Sequence, residues 1–214
     1  MSKNTNLLAI PTYVYIDTSN IRNACLRSCK FVLDFKKLYR YLDGRYPNLR
    51  EIRYYEGISY GDNKKQEYFT NLRKTGYKIC ALRRKKYIEP AIHDQFICKR
   101  CGAPNTVQIL PQQIKLKSNV DVYLASDMLE RAVRTRSPIH LILFSCDGDY
   151  AEAIKAALRI NPKAFITIVA TPKTRKNNCL SSRLQQFASR DSDHTALVNI
   201  ENIKDRISRP LLTK

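Results

Sequence analysis

The sequence predicts a doubly wound α/β domain, on three observations. Short apolar runs rich in Val, Ile and Tyr alternate along the chain with longer segments of helical period. The runs are apolar throughout rather than at every second position, as in parallel strands covered on both faces. The chain has 214 residues and is 43% hydrophobic, enough for one large core. Strand, helix and strand repeated in this way imply a mostly parallel sheet with right-handed crossovers and helices on both faces.

Taken in order, strands are expected near 12–17 ("TYVYID"), 51–56 ("EIRYYE"), 77–82 ("YKICAL"), 139–145 ("IHLILFS") and 165–170 ("FITIVA"). Helices are expected near 34–43, 63–75, 120–136 and 149–160. Residues 83–116 break the alternation with a basic "RRKKY", a CxxC pair and "ILPQQIKLK", and read as short extended pieces of an insertion or small subdomain. The main domain is thus placed at 12–200, after an N-terminal segment 1–11. The basic tail 201–214, "ENIKDRISRPLLTK", reads as a helical turn followed by a frayed end. No internal repeat is present.

Charge narrows the partners. There are 38 Lys and Arg against 19 Asp and Glu, a net +19. That excess favours a polyanion, and nucleic acid ahead of an anionic membrane, because no basic amphipathic helix dominates. The apolar stretch 7–16, "LLAIPTYVYI", contains a proline, lacks a small-residue cleavage pattern and runs into Asp17, so it does not read as a signal peptide. No run approaches the roughly 18 apolar residues of a membrane span. Seven cysteines, an odd number without secretory context, suggest reduced thiols and a soluble, cytoplasmic chain.

Two apolar runs end on acid: the first on Asp17, the fourth on "SCDGDY" with Asp147 and Asp149. In a doubly wound sheet, ligands bind outside the carboxyl ends of the strands, where these acids fall. Asp121 stands in the first turn of an expected helix and can point the same way. Asp127, six residues on, lies about 120° around that helix and is expected to pair with a base or cap a backbone donor elsewhere. Crowded carboxylates raise one another's pKa unless a cation neutralises them. Hard oxygen donors suit Mg²⁺ or Mn²⁺, which would polarise a phosphodiester, acidify the attacking water and steady the leaving oxygen.

The blocks "YVYIDTSNIR" (13–22), "YYEGI" (54–58), "VDVYLASDML" (120–129) and "LILFSCDGDYAEAI" (141–154), in this order, resemble the NYN domain family, the LabA-like branch of the PIN-like ribonucleases. The resemblance spans roughly residues 12–170. It implies a PIN-like fold and metal-dependent endoribonuclease activity. Asp17 matches the acid ending the first strand, Asn20 the asparagine after it, and Asp121 the acid opening the long helix. Ser145, Asp147 and Asp149 match an S-x-D-x-D block, and Asp127 is also part of the pattern. This chain departs from the usual forms in Thr18, where glycine is common, in "SCDGDY" where "SGDSDF" is common, and in the "KSN" that leaves the role of Lys117 open.

Each signal also has a structural reading. Asp17 suits a helix N-cap, and "DGD" suits a turn with Gly148 supplying a permissive backbone. The basic stretch 73–86 is either solvated surface or a track for single-stranded RNA. In the second case Arg83, Arg84, Lys85 and Lys86, with Lys117, pair phosphates while Tyr68, Tyr77 and Tyr87 stack bases. Tyrosines in strands are also ordinary core material. "FICKRCGAP" has the look of a zinc knuckle, but Cys98 and Cys101 are two ligands where a structural zinc needs four. Cys80, His93 or a second chain, as in a homodimer, are the sources to consider, against a plain reduced pair in a turn. Two functions compete with the nuclease: an RNA-binding or regulatory module without turnover, and a Toprim-like phosphotransfer site, which would need a glutamate where Asp17 stands.

Overall fold

The computed structural model describes residues 8–171, 179–190 and 193–209, so the expected segments 1–11 and 201–214 lie partly outside the described residues. The first half runs β1 (Thr12–Asp17), α1 (Thr18–Ser28), β2 (Val32–Leu33), α2 (Phe35–Arg45), β3 (Leu49–Ile58), α3 (Asn63–Thr75) and β4 (Lys78–Arg83). Four strands follow, β5 (Lys85–Glu89), β6 (Ile92–Ile97), β7 (Pro104–Leu110) and β8 (Gln113–Lys117). The second half is α4 (Val120–Arg134), β9 (His140–Phe144), α5 (Tyr150–Ile160), β10 (Phe165–Ala170), α6 (Ser182–Arg190) and β11 (Thr195–Asn199). A 3₁₀ turn at Ile200–Ile203, a short α7 (Lys204–Ile207) and β12 (Ser208–Arg209) complete the described elements.

Six strands form one sheet in the order β11-β10-β9-β1-β3-β4, and every pair in it is parallel. The first strand is central. The chain winds outward through β3 to β4, then returns past β1 to build the other half. Right-handed crossovers therefore place α1 to α3 on one face and α4 to α6 on the other. Successive residues of β3 reach both layers. Tyr54 packs edge-on against Phe35 of α2, with ring centroids 4.9 Å apart, and against Phe69 of α3 at 5.9 Å. Tyr55, on the opposite face, hydrogen-bonds to Asp127 of α4. Central strand β9 is buried along its whole length, as its unbroken apolar run requires.

Three elements depart from the sequence expectation. Helix α1 has no clear apolar stripe, yet Thr18, Ile21, Ala24 and Cys25 face inward at helical spacing, so small and thiol side chains carry its buried face. Residues 182–199 add α6 and β11, which extend the sheet beyond β10. The C-terminal segment is tied down as far as Arg209. Ser208 pairs antiparallel with Leu33, and the Asp34 N–H donates to the Ile207 carbonyl at 2.8 Å. Residues 210–214 lie outside the described residues. Tyr77, expected on an RNA track, is instead core: it is buried, and its hydroxyl donates to the Phe35 carbonyl at 2.7 Å.

The stretch expected as an insertion forms a two-tier antiparallel ribbon, β5 with β8 and then β6 with β7, whose tip is the CxxC turn. It leaves the sheet at the edge strand β4. Helix α3 ends on Gly76 at φ +114°, where a Cβ would also meet the Tyr39 hydroxyl at 2.3 Å, so both conformation and space require glycine. No helix among the described residues is long and apolar enough to cross a membrane.

His140 opens β9 inside the core, with Nε2 2.8 Å from the Thr167 hydroxyl, and burial pushes its pKa down to about 4. A depressed histidine pKa means the unfolded chain binds the proton first, so stability is lost as pH falls from about 6.5 towards 4. That interval corresponds to about 3 kcal/mol. Urea unfolding from pH 7 to 4 should show this loss, and His140→Asn should flatten the slope. A variant with the wild-type slope would place the acid sensitivity elsewhere.

Candidate active site

The direction of winding reverses between β1 and β9, and the crevice at their carboxyl ends is the switch point where doubly wound sheets bind ligands. Asp17 ends β1 and caps α1. Its Oδ1 accepts the Asn20 N–H at 3.1 Å and the Ser19 hydroxyl at 3.4 Å, while Oδ2 accepts the Tyr150 hydroxyl at 3.1 Å. The cap and a binding role therefore coexist in one carboxylate. Burial raises the Asp17 pKa; the Asn20 and Tyr150 hydrogen bonds oppose the rise, and the charge of Asp147 adds to it. Thr18, at the position where glycine is common in the resemblance, donates to the Tyr55 carbonyl at 2.7 Å and stitches α1 to β3.

Across the crevice, the turn after β9 is tied to the start of α1. The Cys146 N–H donates to the Asn20 side-chain oxygen at 2.8 Å. Ser145 is buried and its hydroxyl accepts the Asp147 N–H at 3.1 Å, while an Asp147 carboxylate oxygen accepts the Asp149 N–H at 3.1 Å. Asp147 is partly exposed, and Asp149 and Asp121 are open to solvent. Gly148 is required for space rather than for its backbone angle, which is not left-handed. A Cβ there would lie 2.2 Å from the Ser181 hydroxyl oxygen, and the Ser181 N–H donates to the Cys146 carbonyl at 3.0 Å, so this segment closes over the acidic turn.

Tyr150 and Glu56 belong to this end of the sheet although the acidic spacing did not mark them. Tyr150 is buried, which raises its phenol pKa, and the charges of Asp17, Asp121 and Asp147 all raise it further. One hydroxyl thus senses three of the four expected carboxylates. The signal for it was the last letter of "SCDGDY", where the resemblance commonly has Phe. Glu56 ends "YYEG" fully buried, 2.6 Å from Lys65 Nζ and 3.1 Å from Arg22, and it accepts the Tyr54 hydroxyl at 2.6 Å. Burial alone would raise its pKa, but these partners bring it below the usual carboxylate range. Asp127 faces away from the crevice and pairs with Arg53 and the Tyr55 hydroxyl.

Among the described residues, no three His, Cys, Asp or Glu side chains are gathered closely enough to hold an ion. The expected four-carboxylate clasp is therefore not closed. The donor set nonetheless fits a hard divalent cation held through one or two carboxylates and water, the usual manner of Mg²⁺. Asp17, Asp121, Asp147 and Asp149 form no ion pair among the described residues, and Asp17 is destabilised in its charged form by burial and by Asp147.

Basic groups flank the crevice on the β4 side. Arg84 and Ser118 pack on Gly57, where a Cβ would meet Ser118 Oγ at 2.3 Å and Arg84 Nε at 2.9 Å. Arg83 lies over the Tyr60 ring at 4.7 Å, and Lys117 over Tyr87 at 4.3 Å. Lys85 is directly opposite Lys117 in the ribbon, and Lys86 is exposed. Beside the end of β3 is a cavity of about 620 Å³ lined by Arg22, Lys36, Glu56, Lys64, Lys65, Tyr68 and Arg209, among others. Tyr68 and Tyr87 are exposed enough to stack with a base.

The family model described as NYN domain matches residues 11–193 of the chain. A crystal structure of a protein of unknown function from Vibrio parahaemolyticus superimposes with a TM-score of 0.60 at 18% identity, covering 94% of this chain and 96% of that one, which shows a shared fold. No curated protein matches the sequence significantly.

Two substitutions test the crevice. Asp17→Asn keeps an oxygen for the Asn20 N–H and removes the buried charge. Because a raised carboxyl pKa costs stability as pH rises through the folded value, this variant should melt higher than wild type at pH 7 in chelator. A lower melting temperature would show that the charge itself holds the crevice together. Gly148→Ala should cost about 1–3 kcal/mol by overpacking. Adding Ser181→Gly should recover most of that in urea titrations, and failure to recover would mean the contact is not the constraint.

Proposed function

The chain belongs to the NYN domain family, and from that premise we propose that it is a metal-dependent endoribonuclease that cleaves single-stranded RNA in the crevice between β1 and β9. The observation that carries this reading is Tyr150, whose buried hydroxyl bonds Asp17 while the charges of Asp121 and Asp147 reach it from other elements. Supporting it, acids from three separated parts of a chain of net +19 act on that one hydroxyl at the carboxyl end of the sheet.

In this reading Asp17, Asp121, Asp147 and Asp149 are the residues that would hold Mg²⁺ or Mn²⁺. The ion would supply positive charge to a phosphodiester and lower the pKa of water there. The protein groups do the positioning. Tyr150 and the Asn20 N–H fix both oxygens of Asp17, the Asn20 side chain holds the turn after β9 against α1, and Ser145 sets the direction of the Asp147 backbone. Arg83, Arg84, Lys85, Lys86 and Lys117 pair phosphates on the approach, with Tyr68 and Tyr87 as stacking surfaces. The cavity beside β3 extends this track past the end of β1. A cytoplasmic setting suits an RNA substrate and reduced cysteines.

A non-catalytic RNA-binding module is the competing reading, favoured by the open spacing of the carboxylates. Labelled single-stranded RNA incubated with Mn²⁺, with Mg²⁺ and with chelator separates the two. The nuclease reading expects cleavage with metal and none with chelator. Asp147→Asn should reduce cleavage by at least about a hundredfold, roughly 2.7 kcal/mol in the barrier. RNA affinity should be unchanged or slightly higher, since removing a negative charge near phosphate cannot weaken the attraction. Wild-type turnover in that variant would remove Asp147 from the site. Binding should also fall steeply with salt as phosphates release counterions, and a flat response would sink the basic track.

A further inference from the structure

The outer tier of the ribbon, β6 with β7 and the turn between them, is the largest feature that the proposed chemistry does not use. Residues of β6, β7 and β8 are exposed throughout. Its strands nevertheless alternate. The register pairs Phe96 with Asn105, Asp94 with Val107 and Ile92 with Leu110, which puts Ile92, Asp94, Phe96, Asn105, Val107 and Leu110 on one side. His93, Gln95, Ile97, Thr106 and Gln108 occupy the other. A two-stranded ribbon is marginal alone in water, and this one exposes four large apolar side chains, Ile92, Phe96, Val107 and Leu110, around the Asp94 carboxylate.

The tip is built as a metal knuckle. Gly102 takes φ +70°, its N–H donates to the Cys98 carbonyl at 2.9 Å, and the Cys98 N–H donates to the Ala103 carbonyl at 2.9 Å. The backbone N–H groups of Arg100 and Cys101 and the Cys101 thiol are all turned towards the Cys98 sulfur. Two sulfurs do not complete a tetrahedral site. No third ligand is at hand in the same chain: Cys25, Cys29 and Cys146 are in the core, and Cys80 sits in β4 beside Tyr55 and Asp127. No described group of three donors includes the tip, and the residues outside the described ones contain neither cysteine nor histidine.

We propose that Cys98 and Cys101 of two copies of this chain bind one zinc ion, and that the ribbon faces carrying Phe96 and Val107 pack together beside it. Four thiols lose their protons to solvent as the four sulfurs close on Zn²⁺. The resulting centre carries a charge of −2. Lys99 and Arg100, exposed between the cysteines of each copy, place four positive charges around it, and their attraction to the negative centre offsets part of the repulsion expected between two strongly basic chains. The inference is independent of the carboxylate crevice.

The test uses the full chain, reduced, stripped of metal and titrated with Co²⁺ while light scattering follows the mass. The expected result is saturation of sulfur-to-cobalt charge-transfer absorption at one ion per two chains, with the mass doubling in step. Carboxylate-bound cobalt gives no such absorption, so the crevice does not interfere. Saturation at one ion per chain with constant mass would overturn the proposal, as would absence of the thiolate signal or a dimer that survives chelation. Cys98→Ser with Cys101→Ser should remove both signals. Phe96→Asp keeps every thiol, removes an apolar contact and adds a second carboxylate beside Asp94 in the joined face, so it should weaken metal-dependent dimerisation by at least about tenfold. Wild-type dimer affinity in that variant would exclude the ribbon face from the contact.

Discussion

Everything at the acidic end of the sheet depends on β1 and β9 lying side by side. Their backbone ladder aligns Ile16 with Phe144, so Asp17 and the turn that begins at Ser145 leave the sheet at the same level. Two side-chain hydrogen bonds then span the gap in the same sense, each donated from the β9 side and accepted on the β1 side. Asn20 of α1 receives an N–H from the β9 side, and Asp17 receives a hydroxyl from α5. Neither bond is possible in a sheet with another strand order. Asp17 consequently has both carboxylate oxygens held by hydrogen bonds from the protein itself.

Strand β3 deals with the opposite problem, charge that must be buried. Its alternating side chains place Arg53 and Tyr55 on one face and Tyr54 and Glu56 on the other. On the first, Arg53 is clasped by Glu51 and Asp127. On the second, Glu56 is clasped by Arg22, Lys65 and the Tyr54 hydroxyl. Burying such charges is costly, and their worth lies in arrangement: loss of one member strands the others in low dielectric. Glu56 links α1, β3 and α3, while Asp127 links α4 to β3. Helices from both layers are thus keyed to the strand next to the crevice by groups that accept only one partner geometry.

The sequence made the central strands legible because buried parallel strands are written as unbroken apolar runs, and "LILF" admits no other reading at that length. The acids were legible as to position, at the ends of these runs, where Asp17 caps α1 and Asp147 braces the turn after β9. Helix α1 was hidden by composition: Thr18, Ala24 and Cys25 fill its inward face without registering as a hydrophobic stripe. Tyr77 misled because aromatic residues among lysines look alike whether they point to solvent or to the core. Tyr150 and Gly148 depend on distant partners, Asp17 and Ser181, that local pattern cannot reveal. The spacing of the carboxylates is also a tertiary quantity. Sequence order indicates which ends of which strands they occupy, but how closely they approach is set by the packing of α4 and α5.

The central position of the first strand has a bearing on the order of events during synthesis. The half sheet β1-β3-β4 has all its residues once the ribbon begins to emerge, and it can dock locally. The other neighbour of β1 is β9, where Thr12 meets His140, so that flank of β1 must stay open while the ribbon and α4 are translated. Long-range parallel pairing is slow and leaves an unpaired edge exposed until it completes. A nascent chain therefore displays its basic N-terminal half well before Tyr150 can reach Asp17. The delay keeps the acidic crevice unassembled until most of the chain has been made.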